Sequence, residues 1–285
     1  PDGSDIKAQL SQYGGTGIPW DSTGYSNVLI PLSSAYQATA GNWSYTVSNA
    51  SSLQLTSRTG SVSATPTITV QPYLTGDKYT ADNISAALSI MKDIYKQNGV
   101  SLSIQTMIPV SGSQYEKVSK SFTNSETAEL VKMGSSDKVS LFFLEDYMDS
   151  SYLGNSAGIP GSQGVRGGHN GVLISIYAHE KNSILNDQLL GETMGHEMGH
   201  FLGLYHTSES SGKIFDPISD TAECQASTYD TDSSNTITAE ECNKVDGSNV
   251  MFWRAYTENS MNAGKKQNQF TSGQVYVLQH APIAN

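Results

Sequence analysis

The sequence predicts an α+β fold: a mixed, twisted sheet, one long helix that carries chemistry, and a C-terminal subdomain, preceded by a small β-rich region. Three observations predict it. Strand-like and helix-like stretches alternate between residues 65 and 200, and short β-branched segments punctuated by Gly, Ser and Asn come before them. The third is the stretch 195–206, Gly-His-Glu-Met-Gly-His-Phe-Leu-Gly-Leu-Tyr-His, which sets three imidazoles and a carboxylate at fixed spacings.

The elements follow in order. Residues 1–17 are polar, end in Tyr-Gly-Gly-Thr-Gly and show no periodicity, so they read as a tether. Residues 18–64 read as a β-rich accessory region, with strands at Asn27–Pro31, Trp43–Val47 and Ser52–Thr56. Residues 65–285 read as the main, larger unit. It opens with the strand Thr67–Val70 and a helix from about Ala81 to Asn98, where Ile84, Leu88, Met91 and Tyr95 share one face and Asn98-Gly99 supplies a stop. The strand Ser101–Thr106, helical turns near Glu126–Met133, the apolar strand Val139–Leu144 and the strand Gly171–Ile176 then lead to a helix at about Asp187–Leu202.

Composition excludes some functions. A net charge of −11 with only 16 Lys and Arg leaves no basic patch to displace counterions from nucleic acid or an anionic membrane. The longest apolar run, Val139–Leu144, is far short of the ~20 residues of a transmembrane segment. Two cysteines in a Ser/Thr/Gly/Asn-rich chain with few charges suit a secreted or periplasmic setting.

On a helix, residues four apart share a face, so His196 and His200 can direct ring nitrogens to one zinc ion. His206 would lie roughly 9 Å further along a continuing helix, too far to join them. The helix must therefore break, and Gly203 is placed to break it. Three histidines leave one coordination position for water, and Glu197 beside the first of them is the expected catalytic base. His169 and His179 have no partners at ligand spacing and read as surface or structural residues.

This HExxHxxGxxH pattern resembles the zinc signature of the metzincin clan of metallopeptidases. The resemblance implies a methionine turn under the metal, for which Asn249-Val250-Met251-Phe252-Trp253 offers Met251. Trp253 stands where some metzincins carry a tyrosine, and it cannot act as a phenolic ligand. The resemblance also implies a strand at the sheet's edge that pairs with substrate backbone, with Ala157-Gly158-Ile159 in the matching place. Asp220-Thr221 with Cys224, and Phe270-Thr271-Ser272-Gly273-Gln274, resemble segments of the pappalysin-like branch, although Ala222 and Ser272 replace its prolines.

Between the cysteines, residues 230–241 match a twelve-residue calcium loop. Asp230, Asp232, Ser234 and Thr236 stand at its ligand positions and Glu241 at the last, while Asn235 replaces the usual glycine. Cys224 and Cys242 are expected to form a disulfide that encloses this loop. The expected function is a secreted zinc endopeptidase acting on protein or peptide substrates, with calcium as a second ion. The alternatives are an inactive metal-binding or adhesive module and a hydrolase of a non-protein amide. Retention of Glu197 favours the enzyme, because binding zinc does not require a base.

Overall fold

The fold is described from a computed structural model, for residues 27–35, 37, 54–149, 151–256 and 264–285. The expected tether 1–17 and the strand Trp43–Val47 lie outside the described residues. Asn27–Pro31, and the part of Ser52–Thr56 that is described, contain no regular strand. Leu29 is instead buried in the main core, where it packs against the position of Gly203.

The strands are β1 (Thr67–Thr75), β2 (Ser101–Ile104), β3 (Ile108–Val110), β4 (Lys117–Val118), β5 (Val139–Leu144), β6 (Asp146–Tyr147), β7 (Gly154–Ser156), β8 (Val172–Ser175), β9 (Glu180–Lys181) and β10 (Ile184–Leu185). The helices are α1 (Ala81–Gln97), α2 (Ser125–Lys132), α3 (Asp187–Phe201), α4 (Ala226–Tyr229), α5 (Ala239–Cys242) and α6 (Ser272–His280). The main sheet runs β2-β1-β5-β8-β7, and β3 extends it alongside the C-terminal half of β1. Every pairing in it is parallel except β7 with β8.

Parallel strands covered on both faces read as continuous apolar runs, and β5 (Val-Ser-Leu-Phe-Phe-Leu) is buried throughout. Its residues alternate between two cores. Val139, Leu141 and Phe143 face α1 and α3, where Ile84, Met91, Tyr95, Leu190 and Met194 pack. Phe142 and Leu144 face the opposite side, where Leu130 and Val131 of α2 close the layer with Tyr73 and Tyr147. The helix that carries the histidines is thereby clamped between the sheet and α1, and the Tyr95 hydroxyl donates to the Gly195 carbonyl at 2.9 Å.

Beyond α3 regular structure is sparse. A third, smaller core gathers the Cys224–Cys242 disulfide with Ile237, Phe252 and Tyr256. The C-terminal residues return to the sheet: Thr67 and Asn285 exchange both backbone hydrogen bonds, at 2.7 and 3.0 Å.

Candidate metal centre

Helix α3 begins at Asn186, whose side chain accepts the Leu189 amide, and it ends where Gly203 adopts φ 110°. That left-handed turn suits glycine, and a side chain there would also strike Leu29. The chain reverses, and the three histidines meet. His206 Nε2 lies 3.2 Å from His196 Nε2 and 3.1 Å from His200 Nε2.

Each ring's other nitrogen faces an acceptor. His196 Nδ1 donates to the Val250 carbonyl at 2.7 Å, His200 Nδ1 to the Leu204 carbonyl at 2.7 Å, and His206 Nδ1 to Glu209 Oε1 at 2.8 Å. None of these acceptors carries a proton, so all three Nδ1 atoms do, and the three Nε2 lone pairs converge. Such crowding is unfavourable unless a cation sits among them. Tetrahedral zinc, with nitrogens about 2.0–2.1 Å away, spaces them about 3.3 Å apart, so the residues fit that ion. Burial holds His196 and His200 in the neutral form that a ligand must have, with His196 lowered to about 3 and His200 well below its ordinary value.

Glu197 lies against the sheet's edge. A side chain on Gly154 would come within 2.7 Å of Glu197 Cγ, and the Ser156 amide donates to its carboxylate. Burial pushes this carboxyl up to about 8. A cation at the histidines acts in the opposite sense, because it favours the carboxylate.

The edge strand differs from expectation. β7 occupies Gly154–Ser156, whereas Ala157 turns its amide inward to the Gly171 carbonyl, Gly158 takes φ 149°, and the Ile159 carbonyl accepts the Tyr205 hydroxyl. Leu153 and Ala157 bond to β8, so the alternation of an antiparallel pair turns the backbones of Gly154 and Ser156 outward.

Met251 packs beneath the helix that carries the first two histidines. It is fully buried, and a Cβ on Gly199, between the two helical histidines, would lie 2.5 Å from its sulfur. Its turn depends on residues that were noted in the sequence only as fragments. The Asn249 side chain accepts the Met251 amide at 2.8 Å and exchanges hydrogen bonds with the Gln274 side chain at 2.8 and 3.1 Å. Asp220 accepts the Thr271 hydroxyl and the Gly273 amide, anchoring the start of α6. Thr271 and Gln274 form a capping box, which was the signal that would have located this helix. Tyr256 packs on Phe252 in the disulfide core, away from the histidines. Asp246, another residue sequence reasoning missed, accepts the hydroxyls of Thr207 and Ser208 just after the third histidine. His179 is structural: it is buried, with its ring between the Ser175 carbonyl and the Thr193 hydroxyl of α3.

The Cys224–Cys242 disulfide is present, with Cα atoms 5.6 Å apart. In the loop it encloses, carboxylate oxygens of Asp230, Asp232 and Glu241 lie within 4.8 Å of one another, and Asn235 takes the left-handed φ of 65°. Asp230 and Asp232 accept the Ser234 amide, and the Ser234 hydroxyl donates to the Thr236 carbonyl. Glu241 accepts from the Thr231 hydroxyl and amide and from Thr238, which lowers it to about 2. One-turn helices, α4 and α5, flank the loop.

Two metallopeptidase family models match across this centre. One, described as pregnancy-associated plasma protein-A, matches residues 155–281, and a reprolysin-like metallopeptidase family matches residues 81–207. The chain is thus similar to metallopeptidases of two families, each over somewhat less than half of its length. Among solved structures, this chain is similar to metalloproteinase-II from Bacteroides fragilis, with TM-score 0.36 and 10% identity over 55% of this chain; the match spans 48% of that protein, about half its length. It is also similar to archaemetzincin from Methanopyrus kandleri, with TM-score 0.34 and 12% identity over 75% of this chain and 87% of that one. No curated protein matches it.

Proposed function

We propose that this chain is a secreted zinc-dependent endopeptidase of the metzincin type, with His196, His200 and His206 as ligands and Glu197 as the general base. The observation that carries this reading is the convergence of three Nε2 lone pairs beside Glu197, directly under a sheet edge with outward-facing backbone. Zinc bound there would acidify water and polarise a carbonyl. Glu197 takes the proton of the attacking water and returns it to the leaving amine. The Ser156 amide orients its carboxylate. Gly154 and the Ser156 carbonyl offer an extended peptide main-chain partners, so the pairing role expected of Ala157–Ile159 moves three residues upstream. Met251 and its Asn249–Gln274 support floor the site.

The disulfide and the acidic composition suit an oxidising, extracellular or periplasmic setting, and among the described residues no helix is long and apolar enough to cross a membrane. Calcium is proposed as a structural ion of the 230–241 loop, and residues 65–285 as the catalytic unit.

The test is Glu197→Ala, assayed on a peptide library with bound zinc quantified. Zinc should be retained while turnover falls about 10² to 10⁴-fold. Undiminished turnover would remove Glu197 from the mechanism.

A further inference from the structure

The three ligand histidines differ in what stands behind them. His196 and His200 are backed by neutral backbone carbonyls, whereas His206 is backed by a carboxylate, that of Glu209 at 2.8 Å. His206 is also the ligand that no helix fixes, since it lies on the irregular chain beyond Gly203. The Glu209 backbone is itself held. Its amide donates to the Ile214 carbonyl at 2.9 Å, and its carbonyl accepts the Gly212 amide at 2.8 Å. The next residue's carbonyl, Ser210, accepts the Ile237 amide at 2.8 Å, which ties this turn to the disulfide lobe. Among the described residues no lysine or arginine pairs with Glu209, so its charge is directed at the imidazole.

We infer that Glu209 is a positioning residue for the metal: its carboxylate fixes the orientation of His206 and makes it the most electron-rich of the three ligands. An anion on Nδ1–H pulls the ring proton toward itself and raises the donor strength of Nε2, which a carbonyl does more weakly. Outer-shell partners of this type typically change metal affinity about 10 to 100-fold. The side chain of Glu209 is 43% exposed, so solvent screens it and the effect belongs at the lower end of that range. The inference rests on the zinc reading of the site.

The experiment compares wild type with Glu209→Gln, Glu209→Ala and Glu209→Asp, measuring zinc dissociation constants by chelator competition and the visible absorption of the cobalt-substituted proteins. Glu209→Gln keeps an acceptor and removes the charge, and it should weaken zinc about tenfold and shift the cobalt bands. Glu209→Ala should weaken zinc further, and Glu209→Asp should recover part of the loss. Zinc affinity for Glu209→Gln within twofold of wild type, with unchanged cobalt bands, would overturn the inference. Neither readout needs turnover. A wild type that binds zinc tightly and cleaves no peptide would sink the peptidase proposal and leave this one standing.

Discussion

The sheet half and the C-terminal half of this protein hold their parts of the candidate metal centre by different forces. His196 and His200 ride on a helix whose neighbours are apolar: α1, β5 and β8 bury Tyr95, Phe143 and Ile174 around it. His206 and Met251 sit in chain with little regular structure, fixed by polar side chains: Glu209, Asp246, and the Asn249–Gln274 pair. Apolar burial gives large, non-directional stabilisation, whereas polar contacts give modest net stability but demand geometry. The first builds a rigid platform, and the second adjusts where His206 and Met251 stand.

If this contrast is right, truncating the platform should unfold the protein, while losses in the C-terminal half should loosen the site first. Phe143→Ala, in the sheet, should cost about 3–5 kcal/mol in denaturant unfolding, with zinc release and unfolding coincident. A cost below about 1 kcal/mol would break the comparison from the platform side. Replacing both Cys224 and Cys242 by alanine should cost about 3 kcal/mol on the loop-closure model. Here zinc retention and turnover should decline at denaturant concentrations where far-ultraviolet ellipticity from the helices persists. A single coincident transition for all three signals would erase the distinction.

His179 sharpens the comparison from within the platform. Burial lowers it to about 4 from the ordinary 6.5, so the folded state resists a proton that the unfolded chain takes up. Its contribution is therefore full above about pH 6.5 and is lost as pH falls toward 4, by up to about 3 kcal/mol. His179→Gln should flatten that part of the stability–pH profile, as read by urea midpoints at constant zinc. An unchanged slope would place the acid sensitivity elsewhere. The smallest effect is expected at the floor: Asn249→Ala strands the Gln274 amide and should cost about 1–3 kcal/mol. The urea midpoint should fall accordingly and the zinc off-rate should rise with it, and a change confined to the midpoint would deny Asn249 its role in the turn.

The platform was largely legible in the sequence because its signals are periodic. Helical spacing placed Ile84, Met91 and Tyr95 on one face, and the four-residue histidine interval survives any uncertainty about helix ends. Gly203 was legible because only a helix break lets His206 reach the other two. The edge strand was displaced by three residues because Gly154-Asn155-Ser156 lacks β-branched or aromatic residues, and its pairing is dictated by β8. Glu209 was invisible, since a charged residue three places past a motif in polar chain has no pattern to mark it. Asn249 and Gln274 stand 25 residues apart, and no local rule joins two amides over that distance. The N-terminal strand expected at Asn27–Pro31 failed for a related reason: Leu29 is apolar because it plugs the core beside Gly203.

The exchange of hydrogen bonds between Thr67 and Asn285, with the bridge between Ile68 and Ala284, brings the start of the first strand to the final residues. In folding terms this pairing is among the most non-local in the molecule, so its loop-closure cost is met only once residues 284 and 285 have been made. The first strand leaves the ribosome with part of its backbone unmet until residues 284 and 285 arrive. The same adjacency makes a circularly permuted form, with residue 285 linked to residue 67 through a short connector, a natural way to ask whether the order of synthesis matters to the finished metal centre.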